Sequence, residues 1–201
     1  MKRSPLGENH SPARKTMIQT TIKNQLTFEE YLTYDDATDN RYELEDGELI
    51  PMNPPTFRHA FIVSFLTDAL TTQIKQLSLP WKILSGIGVR TSVNRSRIPD
   101  LCVIDREKIS NLDQSAVIES AIIAVEIVSP ESRTRDYRFK RSEYGVVGIS
   151  EYWIVDPTEQ KITILTLVEG FYEQIEFRGN ERIVSHIFPE LVLTVEQVLE
   201  S

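Results

Sequence analysis

Residues 121–128 read Ala-Ile-Ile-Ala-Val-Glu-Ile-Val, apolar throughout except at Glu126. A strand with one wet face alternates polar and apolar positions, so an unbroken apolar run of this kind belongs to a central strand covered on both faces. Parallel neighbours of such a strand are reached through a crossover, usually a helix. The following sequence supplies one. Residues 132–144 are polar and basic, with Tyr137, Lys140, Arg141 and Tyr144 at helical spacing, and residues 151–155 are again β-like. An α/β domain is predicted.

The other elements carry local signatures. Thr27-Phe28-Glu29-Glu30 is a capping box opening a short helix through Leu32, and Thr194-Val195-Glu196-Gln197 repeats the pattern near the C-terminus. Asp46-Gly47 and Glu169-Gly170 sit between β-like runs (41–45 and 48–52, 161–168 and 171–177), which predicts two hairpins. The stripe of Ile62, Leu66, Ala69, Ile74 and Leu77 predicts the longest helix over 58–77, with strands at 81–91 and 100–104 beyond it. A chain of 201 residues suits one domain, placed at 20–201, behind a disordered tail at 1–19.

No uncharged apolar run approaches the roughly 18 residues of a membrane helix, so no membrane partner is expected. Cys102 is the single cysteine, which excludes an intrachain disulfide and predicts a reducing, cytoplasmic setting. Net charge is -8 and the pI about 5.0, so any nucleic-acid contact must come from particular basic segments. No Gly-Lys-Ser/Thr phosphate loop occurs, and Gly86-Ile87-Gly88 is too short for a dinucleotide loop; no nucleotide cofactor is expected.

Glu126 is the residue that most needs an explanation, because burying an unpaired carboxylate costs several kcal/mol. A metal ion, a buried cation or exposure at the strand end would each supply it. Asp100 leads the apolar run Leu101-Cys102-Val103-Ile104 after Pro99. If its strand neighbours that of Glu126, two hard oxygen ligands meet, the preference of Mg²⁺ or Mn²⁺. Lys140, on the helix leaving the Glu126 strand, supplies positive charge. The strip Arg133, Arg135, Arg138 and Arg141, with Arg90, Arg95 and Arg97 ahead of Asp100, offers contacts to DNA phosphates. The alternative for the strip is a solvated face in which Asp136 and Lys140 form a surface i, i+4 pair. His59, beside Arg58, is a candidate to contact phosphate or orient an acid.

Taken in order, Arg41-Tyr42-Glu43-Leu44-Glu45-Asp46-Gly47-Glu48-Leu49, Pro99-Asp100, Val125-Glu126-Ile127-Val128-Ser129-Pro130, the helix with Asp136, Lys140 and Tyr144, and Glu151-Tyr152-Trp153-Ile154-Val155-Asp156-Pro157 resemble the Uma-type bacterial family within the PD-(D/E)XK nuclease superfamily. The resemblance implies a restriction-endonuclease-like core: a mixed central sheet flanked by helices, with added β-hairpins. It implies a homodimeric Mg²⁺- or Mn²⁺-dependent DNA endonuclease, with Asp100, Glu126 and the Ile127 carbonyl as metal ligands and Glu43 beside them. The superfamily lysine would fall two residues after Glu126, where Val128 stands; the family's displaced lysine corresponds to Lys140. The rival expectation is a degraded nuclease fold serving as a dimeric DNA-binding or regulatory module.

Overall fold

The computed structural model describes residues 25–201; the expected tail at 1–19 lies outside them. Thr27 caps α1 (Phe28–Leu32) through the reciprocal capping box. Strands β1 (Tyr42–Glu45) and β2 (Glu48–Pro51) form the first hairpin, with Asp46 and Gly47 both at positive φ, 50° and 83°. Thr56 caps α2 (Phe57–Gln76), whose Ile62, Leu66, Leu70 and Ile74 are buried. The strand expected over 81–91 is in fact two, β3 (Trp81–Leu84) and β4 (Gly88–Ser92), in different sheets. The break is conformational: Gly86 has φ +71°, outside the extended region that a strand needs.

Next come β5 (Arg95–Arg97), β6 (Leu101–Asp105), β7 (Val117–Ile118) and β8 (Ile123–Ile127). The crossover after β8 differs from the regular helix expected over 132–144. It is a π-helical turn, Arg135–Lys140, running into α3 (Arg141–Val146). A π turn shifts side-chain phase, so Asp136, Lys140, Glu143 and Tyr144 all point inward and Arg141 does not join the face predicted for it. Strand β9 (Glu151–Asp156), the hairpin of β10 (Lys161–Val168) and β11 (Phe171–Arg178), and α4 (Val195–Leu199) complete the chain.

The central sheet has six strands in the order β11-β10-β9-β8-β6-β3, mixed because β8 and β9 are parallel and the other pairs antiparallel. It matches the expected α/β core. Beside it stands a second sheet, β2-β1-β5-β4-β7, which absorbs the first hairpin. Alternate residues of β8 serve two cores. Ile123, Val125 and Ile127 pack with α2 and α4, while Ala124 and Val128 pack with Ile87, just ahead of β4, with Val89 in it, and with Tyr144 and Tyr152. Each fully buried Val, Leu or Ile contributes roughly 1.5–3 kcal/mol, which explains why this strand tolerates no polar residue except the one on the second face, Glu126.

Candidate metal and phosphate site

The site forms where β6 begins and β8 ends. The antiparallel register Leu101↔Val125 carries on to set Asp100 opposite Glu126, and opposite residues project to the same face. The condition left open by the sequence, that these two strands be neighbours, is met. Asp100 is anchored at both oxygens: the Ile127 N–H donates to Oδ2 at 2.7 Å, and His59 Nε2 lies 2.9 Å from Oδ1. His59 reaches this point from the first turn of α2, on the opposite side of the sheet from Lys140.

Glu126 is 4% exposed. The Tyr144 hydroxyl donates to its Oε1 at 2.7 Å, and Lys140 Nζ stands 2.9 Å from Oε2. That ammonium also meets Asp136 Oδ1 at 3.2 Å and Glu43 Oε1 at 3.5 Å. Asp136 and Lys140 are 1% and 5% exposed, so the i, i+4 pair is buried and the surface-pair alternative does not hold. Three carboxylates therefore share one ammonium. Burial pushes the Glu126 carboxyl well above its usual range despite Lys140, and raises Asp136 for the same reason. Burial opposes the charge on Lys140, but Glu126, Glu43 and Asp136 more than offset it and hold the ammonium protonated. Glu43 feels the same burial, yet Lys140 and Arg97 outweigh it and its carboxyl is lowered.

Arg97 corrects a sequence expectation. Its side chain is 0% exposed, which leaves no surface for a phosphate; it grips Glu143 through Nε and Nη2 at 2.7 and 2.8 Å and reaches Glu43 and Glu45 through Nη1. Arg95 pairs with Asp46 and Glu143, Arg133 with Asp156 and Glu159, and Arg141 with Gln174 and the Tyr172 carbonyl. Arg90 lies over the Phe28 ring. Within the predicted strip and among the described residues, Arg135, Arg138 and Arg141 have no carboxylate partner, and Arg141 is held instead by amide and carbonyl oxygens. Sequence reasoning missed Glu143, whose signal is the i, i+3 spacing to Lys140. Tyr144, expected on the face of Lys140, is found there.

No three His, Cys, Asp or Glu side chains among the described residues stand gathered as a ligand set. The donor chemistry nevertheless fits a hard divalent cation. Two carboxylates stand at opposite positions of neighbouring strands, the Ile127 carbonyl lies on the same side of the extended chain as the N–H that meets Asp100, and the cluster holds more carboxylates than cations. Asp100, Glu126 and Ile127 are the residues that would hold it.

The family model described as "Putative restriction endonuclease", Uma2, matches residues 28–196. The chain belongs to that family. Among solved structures it is similar to the "putative nuclease belonging to DUF820" of Anabaena variabilis ATCC 29413, at 19% identity and a TM-score of 0.73, over 87% of this chain and 98% of that one. At this identity the likeness is one of fold, and it agrees with the restriction-endonuclease-like core. No curated protein matches. No helix among the described residues is long and apolar enough to cross a membrane. Membership and fold together make this Uma2 protein nuclease-like.

Proposed function

We propose that the protein is a metal-dependent DNA endonuclease. The observation that carries this is Asp100 set opposite Glu126 across β6 and β8, with Lys140 Nζ 2.9 Å from Glu126. Mg²⁺ or Mn²⁺, when bound, supplies a water of lowered pKa and positive charge for the phosphate oxygens. Asp100 and Glu126 hold and orient the ligand set, with His59 and the Ile127 N–H fixing Asp100 and Tyr144 fixing Glu126. Lys140 stabilises the attacking hydroxide and the charge on the phosphoryl oxygens, and Glu43 and Asp136 keep it protonated. In-line attack leaves 5′-phosphate and 3′-hydroxyl ends. A homodimer places two such sites on the two strands of a duplex.

A second reading, a non-cleaving DNA-binding or regulatory dimer, is favoured by one observation: Lys140 is already held by three carboxylates, so Glu126 has a cation without any metal. Nicking of supercoiled plasmid in Mg²⁺ or Mn²⁺ separates the two. Wild type should nick and Asp100→Asn should not, with Mn²⁺ titration calorimetry losing its heat in the variant. Wild type that neither binds Mn²⁺ nor nicks defeats the endonuclease reading.

A further inference from the structure

Two segments come to the Asp100–Glu126 end of the central sheet from its opposite faces. One is the first turn of α2, tied in by His59; the other is the π turn that delivers Lys140. Their outward side chains share a composition. On α2, Phe57 is 84% and Phe61 56% exposed, their rings 6.2 Å apart and 32° from parallel, with the exposed Arg58 between them in sequence. On the π turn, Phe139 is 48% exposed and follows Arg138. Arg58, Arg135 and Arg138 have no carboxylate partner among the described residues, whereas Arg90, Arg95, Arg97 and Arg133 each have one. The buried Nε of Arg135 has no hydrogen-bond partner at all. The first turn of α2 carries no acid.

Phenylalanines left in water expose apolar area that a folded chain gains by covering, and three of them beside unpaired arginines narrow what covers them. Phosphates alone need only the cations. An apolar protein partner needs only the rings. Rings interleaved with unpaired cations on both sides of the Asp100–Glu126 end of the sheet match a strand whose bases are free to stack and whose phosphates run alongside. In an intact duplex the base faces are already stacked on each other and offer only edges.

Resting on the endonuclease reading for the site between them, we infer that these two segments form a stacking surface for unpaired bases, so that the substrate class is DNA with a single-stranded stretch: a bubble, flap, gap or free strand. Phe57 and Phe61 stack bases on one side of the scissile phosphate and Phe139 on the other, while Arg58, Arg135 and Arg138 neutralise the adjoining phosphates. All six side chains except Arg135 are exposed, so alanine there leaves the core intact.

The test is fluorescence anisotropy of the full chain in EDTA, with a labelled oligo-dT strand, a bubble duplex and a fully paired duplex. Wild type should bind the strand and bubble at least 10-fold more tightly than the paired duplex. Phe57→Ala/Phe61→Ala and Phe139→Ala should each lose roughly 5-fold or more on the strand and bubble, the low end for a lost base stack, and little on the duplex. Arg58→Ala/Arg135→Ala/Arg138→Ala should flatten the log K against log salt slope on the single strand by about 2 units. Equal affinity for all three DNAs, or aromatic variants that bind the strand like wild type, overturns the inference. So does a halved mass by light scattering for Phe57→Ala/Phe61→Ala, which makes the pair a subunit interface. Plasmid nicking that prefers paired sites sinks the substrate inference alone; preferential strand binding with no cleavage in Mg²⁺ or Mn²⁺ sinks the endonuclease reading alone.

Discussion

Two buried glutamates on neighbouring strands show two ways of keeping a carboxylate inside a protein. Glu151, at the start of β9, is 0% exposed and surrounded by neutral donors: Trp153 Nε1, Ser185 Oγ and the N–H groups of His186 and Ile187. No cation among the described residues is involved. Its lone pairs are filled by dipoles from a C-terminal segment that it ties to the sheet. Glu126, on β8, is 4% exposed and has one hydroxyl donor and a share of one ammonium. The first arrangement is saturated and has no remaining use for a ligand. The second is short of positive charge, and burial holds its carboxyl well above the normal range. Satisfaction by dipoles marks a structural acid, and shortage of cations marks a candidate binding site.

The comparison breaks most visibly at Glu151. Glu151→Ala leaves the donors of four residues without an acceptor, at about 1–3 kcal/mol each, so thermal melts should show a loss on the order of 4 kcal/mol or more, or no folded protein. A variant that melts like wild type would mean that water replaces the carboxylate and that the two acids are alike. Lys140→Ala comes next. It strips the ammonium from three buried carboxylates, and removing one partner from a buried ion pair costs about 3–5 kcal/mol, part of which is recovered as Glu126 and Asp136 take up protons. In nicking assays turnover should fall about 10²-fold, the range of a lost transition-state contact, while calorimetry still registers Mn²⁺. Unchanged turnover would remove Lys140 from the chemistry.

Glu126→Gln should separate stability from binding. Tyr144 keeps an acceptor, Lys140 keeps Glu43 and Asp136, and the burial penalty on a carboxylate is removed, so the melting temperature should stay within about 3 °C of wild type, roughly 1 kcal/mol for a domain of this size. Mn²⁺ heats should vanish in the same sample. A large drop in melting temperature with Mn²⁺ binding retained would make Glu126 a second Glu151. At Glu143 the effect to read is the pH dependence, the smallest of the set. Burial raises its carboxyl, but the hydrogen bonds and charge of Arg97 more than offset this and the group is lowered. A depressed carboxyl stabilises the fold above its unfolded value near 4.3, and that contribution disappears as pH falls through the folded value. The melting-temperature gap between wild type and Glu143→Gln should therefore be widest near pH 7 and close below pH 4. A gap that widens on acidification would reverse the assignment.

How much of this was legible in the sequence follows the range of the interactions. Both hairpins and both capping boxes were, because Asp46-Gly47, Glu169-Gly170, Thr27 with Glu30, and Thr194 with Gln197 act within a few residues. The pairing of the Asp100 and Glu126 strands was a condition, now met. The second sheet was not legible, since β5 is three residues long and holds its place by pairing Ser96 with Leu44 far up the chain. Arg97 failed for the same reason. Beside Arg95 and ahead of Asp100 it reads as a phosphate contact, but Glu143 and Glu43, 46 and 54 residues away, claim it. Asp136 read as a surface partner because its i, i+4 spacing to Lys140 predicts the pair but not its burial, which the packing of the π turn on the sheet decides.

The meeting of Glu43 with Lys140 also dictates an order of events during folding. The β10–β11 hairpin closes over two residues, whereas the lysine cluster must close a loop that reaches back from the π turn to β1. Closing a flexible loop of that length costs roughly 4 kcal/mol of chain entropy at (3/2)RT ln n, so local pairings of β9, β10 and β11 should come first. The acids then remain hydrated through most of folding and lose their water in the last step, when the first hairpin docks. Pulse-labelled hydrogen exchange should find the Ile98 amide, which donates to Glu43, protected later than the amides of β10. The part of the molecule placed to act on a ligand is, on this account, the last to be assembled and the first to come apart.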